Sequence, residues 1–347
     1  MVQGRETKPT GKVPTTVKIA SYVSDQCMPS SARNLLLASY YLASQPIRAA
    51  IHYCLKRKKQ LPSPVFFYHR VADDGATPWT ISNANFKQHI LYLKNNFDLV
   101  SLPEVQTRLR KGESDRISVA ITFDDGYASN FDHAIPWMLE NNIPFTYFVS
   151  TAYSLTQSPF PHDQKLGFSF QPNTPAQIRQ LAESGVILGG HTRSHADIGK
   201  LTNSEQIEEE IIGGIRELED ISGIRIDYFA FPYGDIRNIS QASINCLRRN
   251  GIQGICSAYS EINWPGKDPW HIKRIHGDTG MLRLKNWMTL DPRKIKRKRR
   301  FPFEYHTLNE PQPTLVFPHS ETANTFPKIN ETTNLSDSIL TPSLPTH

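Results

Sequence analysis

Ser118-Val-Ala-Ile-Thr-Phe-Asp124-Asp125-Gly126-Tyr127 is an apolar run of strand length that ends in two adjacent carboxylates and a glycine. Parallel sheets are buried on both faces, so their strands read as unbroken β-branched and aromatic runs, and their functional groups gather where the strands end. The stretch predicts a buried strand with chemistry at its C-terminal end. Neighbouring carboxylates repel, so the pair must hold a cation, share a proton or stand in water. The chain holds a contrasting pair in Asp73-Asp74-Gly75, which follows Arg70-Val-Ala with no comparable strand and reads as an exposed loop.

Outward from this strand, similar short runs recur at 65–68, 145–149, 186–188 and 228–231. Helical patterns fall between them. Ile207, Ile211, Ile215 and Leu218 form one stripe after the candidate caps Asn203 or Ser204 and before Gly223, and Phe86, Ile90 and Leu93 form another after Ser82. Strand and helix in alternation from about 61 to 290 predict an α/β barrel or a doubly wound sheet.

The chain has 347 residues, enough for a sizeable core, and 39 Lys+Arg against 33 Asp+Glu give it a net charge of +6. Seven of those basic residues stand in 293–300 (RKIKRKRR), and the rest of the chain is close to neutral. A folded reader of duplex nucleic acid spreads its cations over a face, so no specific nucleic-acid partner is expected. Cys27, Cys54, Cys246 and Cys256 lack metal-ligand spacing and form no disulfide framework by pattern. No run reaches the roughly 20 apolar residues of a spanning helix, and the first 20 residues carry no apolar signal core. A cytoplasmic or membrane-peripheral location is the expectation. Residues 35–55 read as a packed or amphipathic helix, with a membrane-surface anchor as the other reading, and the basic cluster 56–59 follows. Beyond about Asn309 the chain is rich in Pro, Thr, Ser and Asn and reads as a disordered tail. The expected organisation is an N-terminal extension at 1–60, a domain at 61–290, and a basic tract and tail at 291–347.

Two further constellations stand at strand ends. In Leu188-Gly-Gly-His191-Thr-Arg-Ser-His195, two imidazoles four residues apart can reach one ion. A carboxylate added to them makes a three-ligand site with an open position, at which a divalent ion activates water, and a neighbouring Asp could take the proton. Phe229-Ala-Phe-Pro232-Tyr233-Gly234 reads as a rigid turn whose backbone N–H groups could face an oxyanion.

Together, Thr122-Phe-Asp-Asp-Gly126, His191-Thr-Arg-Ser-His195 and Phe229-Ala-Phe-Pro-Tyr-Gly234 resemble the motifs of the NodB-like polysaccharide deacetylases, a carbohydrate esterase family, in order and in placement. The resemblance covers roughly 60 to 290. It implies a distorted (β/α) barrel, flexible terminal extensions outside it, and metal-dependent removal of N-acetyl groups from an amino-sugar polysaccharide of the N-acetylglucosamine type. It makes Asp124 the general base, Asp125, His191 and His195 the ligands of a divalent ion (Zn²⁺ first, with Co²⁺, Ni²⁺ or Mn²⁺ as substitutes), and Tyr233 the source of a backbone donor to the oxyanion.

The family also uses a histidine as general acid. Phe66-Phe-Tyr-His69-Arg70 is similar to the opening of the circularly permuted exopolysaccharide deacetylases, which makes His69 the first choice. His276, in Arg274-Ile-His276-Gly-Asp278, is the second, standing where an unpermuted member carries its last motif. One position departs from the pattern. Many members carry an arginine that steadies the base where this chain has Ala230, which leaves open how Asp124 is held and motivates the alternative of a carbohydrate-binding protein without chemistry. Tyr127, Trp79, Tyr153, Trp264 and Trp270 are candidate stacking platforms for a polymer. The basic segments are candidates for peripheral contact with an anionic membrane or polymer.

Overall fold

The computed structural model describes residues 30–277, 280–296 and 300–304. The tail expected beyond Asn309 and Cys27 lie outside them. The strands are β1 (Val65–Tyr68), β2 (Arg70–Val71), β3 (Thr80–Ile81), β4 (Asp98–Leu99), β5 (Ser118–Phe123), β6 (Phe145–Val149), β7 (Ile187–Gly190), β8 (Tyr228–Ala230), β9 (Gly254–Ser257), β10 (His271–Lys273) and β11 (Ile275–His276). Eight of them run parallel in the order β10-β9-β8-β7-β6-β5-β1-β11, with β4 added beside β5. The two ends of this path, β10 and β11, are separated in sequence by Arg274 alone. One bent segment thus pairs with β9 through residues 271–273 and with β1 through Ile275 and His276, and the sheet curls into a nearly closed barrel. The (β/α) barrel expected from the resemblance is the fold.

Period-two alternation divides the side chains between two cores. Outward-facing Phe66, Tyr68, Val119, Ile121 and Phe123 pack with helix residues such as Phe86, Ile90, Leu93, Ile211, Ile215 and Leu218. Each such side chain taken from water stabilises the fold by about 1.5–3 kcal/mol. Inward-facing Val65, Ala120, Phe148, Tyr228, Ala230, Cys256 and Ile272 fill the barrel together with Leu102, Val105 and Leu109 of the helix Leu102–Lys111. That helix plugs the N-terminal end of the barrel, where Gln106 donates to the carbonyls of Gln253 and Pro269 and accepts from the Tyr228 hydroxyl. The other end is left for chemistry.

The stripe over 204–220 buries as its spacing requires, but the helix is interrupted. Ser204–Glu208, capped by Asn203, passes into a π turn at Glu209–Gly213 before Gly214–Ser222 resumes and stops at Gly223, whose φ is +72°. The π turn frees the Glu210 carbonyl to accept the Arg193 N–H at 2.7 Å, while the Glu210 carboxylate accepts from the Ser194 N–H and hydroxyl. The His191-Thr-Arg-Ser-His195 loop is thereby fastened to the helix. A Cβ at Gly214 would meet the Arg193 backbone at 2.9–3.0 Å, so glycine is what permits the approach.

The described residues on both sides of the expected 61–290 unit pack onto it. Helices α1 (Ser30–Ala43) and α2 (Gln45–Arg57) reach the barrel through Tyr40 and Arg48, which meet the buried Asp291. Phe301 lies 3.9 Å, centroid to centroid, from the His271 ring. Burial pushes the His271 imidazole down to about 3. Between 6.5, its ordinary value, and about 3, the unfolded chain binds a proton that the folded chain refuses, so stability falls as the pH drops through that window. From pH 7 to 4.5 this group should cost about 2 to 3 kcal/mol. His271→Gln should flatten the dependence in urea unfolding; equal pH slopes for parent and variant would exclude the assignment.

Candidate active site

Asp124 and Asp125 follow directly after β5 and take different partners. Asp124 continues the inward face of Ala120 and Thr122, and both of its oxygens accept from the Arg274 guanidinium, at 2.6 and 2.8 Å. Asp125 has a left-handed backbone, φ +73°. Among the described residues nine non-glycine positions have positive φ, and four of them, Asp125, Thr192, His195 and Tyr233, lie in this one region. Such conformations cost of order 1–3 kcal/mol each and persist where the surroundings hold them.

Asp125 Oδ1 lies 3.4 Å from His191 Nε2 and 3.2 Å from His195 Nε2. Both Asp125 and His191 are buried. The His191 Nδ1–H donates to the Ala230 carbonyl at 2.8 Å, which leaves the Nε2 lone pair aimed at the carboxylate. Oδ1 is buried without a hydrogen-bond partner. An unsatisfied carboxylate oxygen facing two imidazole nitrogens is costly unless a cation or a proton stands between them. One oxygen and two nitrogens within 4.8 Å of one another therefore fit a divalent ion of the zinc type.

The two carboxylates differ in what holds them. Burial would raise Asp124, but the Arg274 guanidinium, with help from His191, outweighs it and keeps the carboxyl below its ordinary value. Burial would raise Asp125 as well, and there the His195 imidazole facing it outweighs burial and holds the carboxyl well below the usual range.

Residues 111–255 match the family model described as polysaccharide deacetylase. Over these residues the chain is similar to the polysaccharide deacetylases. Among relatives, the Bacillus subtilis protein YxkH is 24% identical over 201 residues, which are 57% of this chain and 65% of that one, so the shared stretch is less than two thirds of YxkH. The poly-beta-1,6-N-acetyl-D-glucosamine N-deacetylase of Staphylococcus epidermidis is 24% identical over 227 residues, 62% of this chain and 75% of that protein. The structure of IcaB from Ammonifex degensii aligns with a TM-score of 0.54 at 23% identity, over 66% of this chain and 94% of that one, and shares the fold.

Arg274, which lies beyond the matched residues, stands where the sequence left a gap. Ala230 and Cys256 are register partners on β8 and β9, and both are small and inward-facing. The fully buried Arg274 enters the barrel from the junction of β10 and β11, with its guanidinium carbon 4.8 Å from the Phe67 ring centroid and 5.2 Å from that of Phe148. Its Nη1 also donates to Thr122 Oγ1 at 3.1 Å. The arginine absent from β8 is supplied from the far edge of the sheet.

The two candidate acids, His69 and His276, are neighbours. The β1–β11 register pairs Phe67 with His276, and His69 follows β1. Their rings lie 5.7 Å apart and both pack edgewise against Phe67. His69 is electrostatically coupled to Asp124, Asp125 and His162. Tyr233 has φ +60°, its ring lies 5.2 Å from that of His195, and its N–H has no acceptor among the described residues.

His162 carries no strand-end or spacing signal in the sequence, yet its Nε2 lies 4.0 Å from Asp125 Oδ2 and 2.8 Å from the Tyr127 hydroxyl. That hydroxyl donates to Asp163, which also accepts from the Trp79 indole. Burial pushes the His162 imidazole down to about 4. Of the candidate platforms, Tyr127 and Trp270 are buried and cannot stack on a sugar, whereas Trp79, Tyr153 and Trp264 are half-buried.

Proposed function

We propose that the chain hydrolyses the N-acetyl groups of an amino-sugar polysaccharide, of the N-acetylglucosamine type, with the help of a divalent ion. The observation that carries this is the convergence of Asp125 Oδ1, His191 Nε2 and His195 Nε2 beside a second carboxylate held separately by Arg274. Asp125, His191 and His195 would hold the ion, which when bound supplies a Lewis acid that polarises the amide carbonyl and acidifies water.

Asp124, kept ionised by its arginine, takes the proton of the attacking water. The negative charge that develops on the amide oxygen faces the Tyr233 N–H, a kind of donor whose loss typically costs about 3–4 kcal/mol of transition-state stabilisation. His69 delivers a proton to the departing nitrogen, and its coupling to both aspartates supports it over His276. Amide and water become acetate and a free amine.

The competing reading, a sugar-binding protein without chemistry, drew on Ala230 and on the lack of a partner for the base. The Arg274 pair removes that ground. The test is acetate release from N-acetylglucosamine oligomers. Chelation should abolish it and Zn²⁺ or Co²⁺ should restore it, and His191→Ala should leave the purified protein with little metal. Release that persists through exhaustive chelation would overturn the metal-assisted reading.

A further inference from the structure

Helices α1 and α2 meet the barrel through buried polar side chains together with Ile51 and Leu55, and turn a further set of apolar side chains to solvent. On the inner side the Tyr40 hydroxyl donates to Asp291 at 2.9 Å, and the buried Arg48 donates to Asn286 Oδ1 at 2.6 Å and to Thr289 Oγ1 at 2.9 Å. On the outer side stand Leu35, Leu36, Leu42, Ile47 and Tyr53, each more than half exposed. They are five of the eleven exposed large hydrophobic residues among the described residues, gathered in nineteen positions. Surface apolar side chains normally occur singly, and a cluster of them marks a contact surface.

Charge says what kind of contact. No Asp or Glu occurs between positions 26 and 72, and α2 runs directly into Lys56, Arg57, Lys58 and Lys59, all exposed. Lys59 pairs with Glu113 at 3.4 Å, which leaves Lys56, Arg57 and Lys58 beside the apolar face, and an apolar helix face flanked by cations is the pattern that lies in the interface of an anionic bilayer. Neither helix is long and apolar enough to cross a membrane. A second copy of the chain would bring a like-charged rim against this one, which disfavours self-association.

We propose that the outer face of α1 and α2 docks the protein on an anionic phospholipid surface, with the leucines and Ile47 in the acyl boundary and Lys56, Arg57 and Lys58 at the headgroups. This stands apart from the reading of the active site. The experiment is flotation of the full chain with phosphatidylcholine vesicles, made with or without phosphatidylglycerol. The parent should float with the anionic vesicles and release in high salt, because surface charge is screened there.

Combined Lys56→Gln, Arg57→Gln and Lys58→Gln should weaken the partition by about 100-fold at low salt, at about fivefold per residue. Combined Leu35→Ser, Leu36→Ser, Leu42→Ser and Ile47→Ser should weaken it by at least about tenfold with the charge unchanged. Melting curves of both sets should match the parent, since neither touches the Tyr40–Arg48–Asp291 anchor. Failure to float with either vesicle, equal partition onto both, or a parent dimer that the serine set converts to monomer would each overturn the proposal.

Discussion

Asp124→Asn should slow acetate release by about 10²–10⁴-fold, the usual worth of a positioned general base, while the chain binds as much divalent ion as the parent. The substitution keeps the shape of the side chain and removes its capacity to take a proton. It spares Asp125, His191 and His195, whose convergence does not involve the Asp124 carboxylate. It also leaves the buried Arg274 cation facing an amide, so the variant should melt at lower temperature. Three readouts separate the effects: acetate release, metal content of the purified protein, and the thermal midpoint. Because Arg274 holds Asp124 below its ordinary value, the base is already ionised at neutral pH, and the parent's activity should not fall on this account until the pH is below about 4. Full turnover by the variant would remove Asp124 from the mechanism.

The parts of this site that lie next to a buried strand were legible in the sequence. A parallel strand advertises itself as an apolar run, so the residues just past it, Asp124 and Asp125 after β5, His191 after β7, Pro232 and Tyr233 after β8, stand out without any knowledge of the fold. Arg274 does not stand out, because its partner is 150 positions away and its strand is only three residues long on one side and two on the other. What gives it meaning is the barrel's closure, in which one bent segment serves both edges of the sheet, and no local pattern encodes closure. His162 is hidden for a related reason. It sits on a one-turn helix, Pro161–Gln164, and acquires its neighbours through Tyr127 and Asp163. The Tyr40–Arg48–Asp291 anchor left no mark in the sequence, because hydrophobic periodicity is blind to a polar contact that fastens one helix to another.

Arg274→Met should destabilise the fold by about 3–5 kcal/mol at neutral pH, since it strands a buried carboxylate with no counter-charge. In the parent, Asp124 is held below its ordinary value, so its pair adds stability above the unfolded-state value of about 3.9 and loses it as the pH falls through the lower folded value. In the variant the sign reverses. Desolvation, no longer opposed by the guanidinium, raises the folded-state carboxyl, so the stability deficit should grow as the pH rises and shrink as Asp124 takes a proton. Urea unfolding of parent and variant across pH 3 to 7, about the range in which carboxylates titrate, reads this directly. Catalysis supplies the second readout. If Arg274 acts through the base, the acid limb of the kcat/KM profile should move upward in pH, and Arg274→Lys, which returns the charge without the fork, should recover the limb better than the rate. A variant that is merely less stable, with its acid limb unmoved, would leave Arg274 as a structural cation and Asp124 without a positioning partner.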